Sequence, residues 1–464
     1  MAGAFSLSWK LDRPYVEPDK PEDVHALVSI EPNPTVLEAG GPVAVHLILL
    51  VDVSGSMGFL VRHDPKAQSL GQKITEGRTA QHVVSEVPSR REMARAIVRK
   101  LAERLGPDDL FTLVAFDDRV HVVAQELNPS DLDGLTRALK KLPLVGGGGT
   151  ALGRGLEAIR AILQSGKDAP RIRKLIVLTD GEDQEPAQAL AQAQSLGTDM
   201  HLPIVAFGMG ECKVAFLTDV AKTTLAGGFN HIRHEADAEQ LYHQALTGQQ
   251  NVRATGVSLK LWLAPDVQAG EFYRTRPEIL FVGSLEPGAD NMATLNLEQM
   301  ERGKAYEFLF RFTLPRRGAN QRLRIAKATL TFDLPSLGRS RETLETNIIV
   351  EYTADPQRVA ERSGDVRRAL GRAEVQRQVL FLQAKADALK LGTGTDRDKI
   401  IVANLLKALI AKFTEFGEQA MANQYRDMEE EFERKGVISQ EMLNRSLAAS
   451  SRAEEIVVAR DIDF

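Results

Sequence analysis

The apolar run Val45-His46-Leu47-Ile48-Leu49-Leu50-Val51 passes directly into Asp52-Val53-Ser54-Gly55-Ser56-Met57. No other junction constrains the fold as strongly. A nearly continuous apolar run reads as a strand buried on both faces, as in a parallel sheet. Such a strand delivers one carboxylate and two hydroxyls to the loop at its carboxyl end, where open α/β sheets bind ligands. All the donors are oxygens, which suits a hard divalent cation such as Mg2+. Two later segments have the same form. Gly146-Gly147-Gly148-Gly149-Thr150 opens a helix, and Lys174-Leu175-Ile176-Val177-Leu178-Thr179-Asp180-Gly181-Glu182 is a second apolar strand ending in Asp.

Residues 43–250 alternate between the two periods. Strands are expected at 44–51, 109–117, 119–125, 173–179, 202–208 and 228–233. Helices are expected at 89–105, 130–141, 150–165, 186–197, 213–225 and 236–247. The first helix follows Pro88 with the capping box Ser89-Arg90-Arg91-Glu92. This alternation implies a mostly parallel sheet covered on both faces. At 464 residues the chain has room for further domains.

Those domains show a different pattern. In residues 1–42, Phe5, Leu7, Trp9 and Leu11 alternate with polar neighbours, and Val24 to Ile30 is a second strand-like run. In residues 251–355 the period is again two, at Val257–Leu263, Glu307–Phe312, Ala326–Phe332 and Thr346–Tyr352, with Pro/Gly turns between them. These two parts are expected to form one β-sandwich, with the α/β domain inserted between them. Residues 356–450 read as helices. One carries Val379, Leu382, Ala386 and Leu389. The next carries Ile401, Leu405, Leu409 and Phe413, and a third near 420–435 is capped by Gly436. Residues 451–464 are an apolar-acidic tail, read as disordered or as a linear motif.

Together Asp52-x-Ser54-x-Ser56, Thr150 and Asp180 resemble the von Willebrand factor type A domain and its metal-ion-dependent adhesion site. The resemblance is specific over roughly 43–248 and matches all five positions of the family pattern. It implies a Rossmann-like doubly wound fold with an antiparallel edge hairpin near Phe111 to Val123. It also implies a Mg2+ or Mn2+ site formed by Asp52, Ser54, Ser56, Thr150 and Asp180. The order of sandwich, A domain, sandwich and helices resembles bacterial intracellular A-domain proteins, inter-alpha-trypsin inhibitor heavy chains and inner coat subunits of secretory vesicles. One departure stands out. About thirty residues, Phe59 to Val87, precede the helix that usually follows the metal loop, and they read as a disordered insertion or a lid at the metal face.

The resemblance implies that an open coordination position favours an Asp or Glu of a protein partner. Related intracellular proteins accompany MoxR-type AAA+ ATPases or kinase and phosphatase pairs. An enzyme is not expected. A strand-end Asp phosphotransferase needs a second acid two positions on, and Ser54 stands there. No phosphate-binding Gly-rich loop or nucleophile elbow occurs. His121, His201 and His231 lie in or beside strands and read as structural. A self-assembling protein using the same site is the alternative function, with a Mg-dependent phosphohydrolase third.

A net charge of -5 gives no general pull toward nucleic acid, and no apolar run approaches the ~20 residues of a membrane span. Cys212 is the one cysteine, so no intramolecular disulfide forms and a cytoplasmic setting is expected. Arg302, Lys304, Arg311, Arg316, Arg317, Arg322, Arg324 and Lys327 make 301–327 basic. This charge reads as solvated edge-strand charge or, second, as a docking surface.

Overall fold

Val45–Asp52 is fully buried along its length and lies inside a six-stranded sheet. A computed structural model describes residues 3–38, 43–62, 64, 68–75, 78–141, 148–165, 171–232, 252–390, 392–415 and 417–451. Across this sheet the order is Gly228–Ile232, Ile204–Met209, Ile172–Thr179, Val45–Asp52, Leu110–Phe116 and Val120–Leu127. All neighbours are parallel except the last pair, an antiparallel edge hairpin. Alternation along the central strand sorts its side chains into two layers. Leu47, Leu49 and Val51 pack with Ile97, Val98 and Leu101 of the helix Arg90–Ala102. Ile48 and Leu50 pack with Leu156 and Ile159 of the helix Leu152–Ser165. Arg90–Ala102 follows Val45–Asp52, while Pro186–Met200, which follows the adjacent Ile172–Thr179, packs in the Ile48 and Leu50 layer through Ala189, Ala193 and Leu196, so the helices leaving these two strands lie on opposite faces and the carboxyl end of Val45–Asp52 is a topological switch point. The helix expected at 236–247 lies outside the described residues.

The remaining β-structure is a sandwich of two five-stranded sheets. One has the order Phe5–Leu11, Glu22–Pro32, Tyr306–Leu314, Gln268–Arg276, Leu280–Ser284. The other has the order Met292–Glu301, Val252–Leu263, Gln321–Leu334, Arg339–Tyr352, Tyr15–Val16. The chain leaves the first sheet at Pro32 and enters the second at Val252, so the α/β unit sits between them in sequence. Phe308, Phe310 and Phe312 point into the shared core, and the Phe5 and Phe332 rings meet edge-on with centroids 5.1 Å apart. The opposite face of the same strand carries Leu309, which packs with Leu27 and Tyr273 under Val366, Ala369 and Ala373 of the helix Gly364–Lys390.

The sandwich holds the α/β unit at the amino ends of its parallel strands, away from the switch point. Gln299 Nε2 donates to the Arg173 carbonyl (2.7 Å). Arg274 Nη1 donates to the Leu225 carbonyl, and the Ala226 amide donates to Glu298 Oε2 (3.0 Å). Burial pushes the Glu298 carboxyl up to about 8, against the Ala226 and Leu225 amides and the Arg274 guanidinium, which favour its charged form.

Three expectations are corrected. The reading of 59–87 as a disordered insertion is corrected, because Gln68–Thr75 and Arg78–Val84 form an antiparallel hairpin. Its flanks belong to the core: Val61 and Val87 are 3% and 5% exposed. Gln268–Arg276, Leu280–Ser284 and Met292–Glu301 are strands that the sequence pattern missed. On the helix Asp396–Glu415 the buried stripe is Val402, Leu406, Leu409 and Phe413, with Ile401 and Leu405 only half-buried. A residue every four drifts off a 3.6-residue turn, so the true stripe alternates steps of four and three. A fourth helix, Gln440–Ser451, completes the described bundle. Within the basic stretch, Lys304 pairs with Glu301, Arg311 with Asp23, Arg317 with Asp266 and Lys327 with Glu345, and Arg324 lies over Trp262. These half-exposed ion pairs contribute little stability each. No described helix is long and apolar enough to cross a membrane.

Candidate metal centre

Asp52 is the last residue of the central strand and is 0% exposed. Its Oδ1 accepts from the Ser54 amide (2.8 Å), closing a turn of the kind that Asp side chains form with the backbone two residues on. Its Oδ2 accepts from the Thr179 hydroxyl (2.6 Å) on the adjacent strand. Ser54 is extended, and the chain then tightens into a single 3-10 turn, Gly55–Gly58. Met57 is fully buried and anchors this turn in the core. Ser54 Oγ and Ser56 Oγ are 3.1 Å apart.

The second loop is bonded to the first, with the Gly55 amide donating to the Gly148 carbonyl (3.0 Å). A Cβ at Gly148 would stand 2.1 Å from Asp118 Oδ1, and one at Gly149 would stand 2.3 Å from Gln184 Nε2. A side chain at either position would displace the Asp118 or Gln184 side chain. Gly146 and Gly147 lie outside the described residues. Thr150 is 4% exposed, and its carbonyl accepts from the Gln184 amide (3.0 Å) of the third loop. That third loop begins at Asp180, which is 0% exposed. All five residues singled out in the sequence therefore stand at one end of the sheet, on three loops that are hydrogen-bonded to one another. Asp52, Ser54, Thr150 and Asp180 are buried, and Ser56 is half-buried.

Four further residues shape the site. Arg90 Nη1 donates to Asp180 Oδ2 at 2.7 Å. Arg91 Nη2 donates to the carbonyls of Val53 (2.8 Å) and Ser54 (2.9 Å), fixing the first loop from below. Asp117, 1% exposed, accepts from the amides of Gly148 (3.1 Å) and Arg119 (2.8 Å). The Asp117 carbonyl accepts from the Ala151 amide (2.8 Å), so Asp117 positions the Thr150 loop. Thr179 orients Asp52. One signal for the arginines was present in the sequence. The Ser89–Glu92 capping box fixes the helix start, which places two cations in a first turn that ordinarily favours acids. Of the histidines set aside as structural, His201 closes its helix in the left-handed conformation, and His231 Nε2 lies 2.6 Å from the Gly210 carbonyl.

The electrostatics favour a cation. Burial pushes the Asp52 carboxyl up to about 6, reinforced by the Asp180 charge and opposed by the Ser54 and Thr179 hydrogen bonds. Asp52 has no ion-pair partner among the described residues. Burial raises the Asp117 carboxyl, but the Arg119 and Gly148 amides, a hydrogen bond with Asp118 and the nearby His121 together hold it below the ordinary value. Among the described residues no group of three or more His, Cys, Asp or Glu is placed to hold a metal. The donor set here is instead two carboxylates and three hydroxyls. Hard oxygens of this kind, with a buried carboxylate lacking a counter-ion, fit Mg2+ or Mn2+.

The sequence profile of the von Willebrand factor type A domain matches residues 47–182. Among curated proteins, Uncharacterized protein sll0103 of Synechocystis sp. is 25% identical over 175 residues, which cover 38% of this chain and 41% of that protein. The match thus spans about two-fifths of that relative's length. Among solved structures, the von Willebrand factor type A from Catenulispora acidiphila superposes with a TM-score of 0.73 at 18% identity, covering 96% of each chain. The ArnB paralog VWA2 from Sulfolobus acidocaldarius superposes with a TM-score of 0.51 at 14% identity, covering 98% of this chain and 97% of its own. At these identities the likeness is one of fold, and it extends over nearly the whole chain. The chain therefore carries a von Willebrand factor type A domain at residues 47–182, set within a β-sandwich and followed by a helical bundle.

Proposed function

We propose that this chain is a non-enzymatic interaction module that uses a Mg2+-bearing site to hold an acidic side chain of a protein partner. A von Willebrand factor type A domain supports an interaction or adhesion role in general terms. The finer reading is carried by one observation: Asp52, Ser54, Ser56, Thr150 and Asp180 meet at the switch point on three cross-bonded loops. These residues would hold the ion. When bound, Mg2+ supplies a positive charge that few anionic ligands neutralise, and this favours a carboxylate from outside. The chain's own part is to present and orient. Arg91 and Asp117 fix the two hydroxyl-bearing loops. Gly55, Gly58 and Phe59 form an exposed rim where a partner can approach. Ser54 follows Asp52 at the position where a phosphotransferase would need an acid, and a hydroxyl is not an acid at neutral pH.

Mn2+ serves as the probe. With Mn2+ bound to the wild type, the methyl protons of added acetate should relax faster than with the same Mn2+ and Asp52→Ala. Equal relaxation in the two proteins would count against carboxylate capture. Metal-dependent phosphoester hydrolysis that requires Asp52 would overturn the non-enzymatic assignment.

A further inference from the structure

We infer that Arg90 is a resident counter-ion that competes with the divalent cation for Asp180, so that metal loading loosens the arm beginning at Phe59. The inference rests on the metal-binding reading above and names a regulator of that site.

Arg90 occupies a candidate ligand. Its Nη1 lies 2.7 Å from Asp180 Oδ2, with side chains 10% and 0% exposed. A pair this well buried is strong only while both members stay charged and in contact. Asp180 Oδ1 has a weaker partner, the Glu182 amide at 3.3 Å. A divalent cation at Asp180 would bring a second, larger positive charge beside the guanidinium. Two cations sharing one buried carboxylate repel each other, and the poorly screened interior magnifies the repulsion.

The guanidinium is not held as a structural arginine usually is. Its Nε is buried with no hydrogen-bond partner among the described residues, although a planar fork of five donors normally finds several. It is confined instead by shape. The Phe59 ring lies 5.9 Å from its Cζ, and a Cβ at Gly210 would stand 2.7 Å from Nε and 2.9 Å from the Val61 carbonyl. The same arm is tied to the start of the arginine's own helix. The Arg90 amide donates to the Phe59 carbonyl (2.9 Å) and the Val61 amide to the Pro88 carbonyl (3.0 Å), while Leu60 bridges to Ser89. Arg90 thus joins the candidate metal site to the arm that leads into the hairpin Gln68–Thr75/Arg78–Val84. Phe59, 64% exposed at the rim, is the arm's outermost contact with the guanidinium. Coupling between two ligands of one site is reciprocal: if Arg90 weakens the cation, the cation weakens the hold of Arg90 by the same factor.

Calorimetric titration of Mg2+ into wild type, Arg90→Gln and Arg90→Lys tests this. Arg90→Gln should bind Mg2+ roughly tenfold more tightly, within the usual range for such coupling, and Arg90→Lys should stay near the wild type because it keeps the charge. Wild-type binding with an unchanged or weaker Arg90→Gln overturns the competition alone. No binding by any of the three overturns the metal reading and the competition together. Should Arg90→Gln not fold, hydrogen exchange on the wild type decides. Added Mg2+ should speed exchange of the Val61 amide, and unchanged exchange under saturating Mg2+ contradicts the inference.

Discussion

Deletion of residues 1–33 is expected to make the chain aggregate. Glu22–Pro32 pairs on one side with Phe5–Leu11 and on the other with Tyr306–Leu314, with Val28 opposite both Trp9 and Phe308. The deletion removes two of the five strands of one sheet. It takes Phe5, Leu11, Val16, Val24, Ala26, Val28 and Ile30 out of the sandwich core. Burying one large apolar side chain contributes about 1.5–3 kcal/mol, so the loss rivals the whole stability of an ordinary domain, about 5–15 kcal/mol. It also leaves Tyr306–Leu314 as an unpaired edge backed by Phe308, Phe310 and Phe312, a template for association. Light scattering should show aggregates. A truncated chain that scatters no more light and melts like the full-length protein would show that the sandwich does not depend on these strands.

At pH 9, Glu298→Gln should melt above the wild type by roughly 5 °C, and at pH 4 the two should match. Burial raises Glu298 from an ordinary value of 4.5 to about 8. Between those values the folded chain keeps a proton that the unfolded chain releases. Stability therefore falls as pH rises from about 4.5 to 8 and levels off above. Glutamine keeps an acceptor for the Ala226 amide and carries no charge to bury. The gain should be local to the junction, because Glu298 and Arg274 grip the Leu225–Ala226 turn of the α/β unit. A variant less stable at pH 9, or one displaced equally at both pH values, contradicts this account of the junction.

Much of the α/β unit was legible because its strands are buried on both faces. A run such as Val45 to Val51 has no other home, and its terminal Asp52 marks the site without any structure. Other features left weaker traces. Gln268–Arg276 buries Phe272 in the sandwich and Tyr273 under the helix Gly364–Lys390, so its two covered faces erase the alternation that reveals a strand. The hairpin Gln68–Thr75/Arg78–Val84 is mostly polar, and its strands are set by hydrogen bonds to each other. The Arg90–Asp180 pair joins residues far apart in sequence, and neither spacing nor composition announces it. The three loops of the site were readable one by one, while the contacts that orient them, through Thr179, Arg91 and Asp117, belong to the tertiary structure.

The central claim is that the loops after Val45–Asp52, before Leu152–Ser165 and after Ile172–Thr179 hold one divalent cation. Titration of Mg2+ into the full chain by calorimetry tests it most directly. One site per chain is expected in the wild type, lost in Asp52→Ala and unchanged in a control substitution at the exposed Ile400. Absence of binding by the wild type, or equal binding by Asp52→Ala, would contradict it.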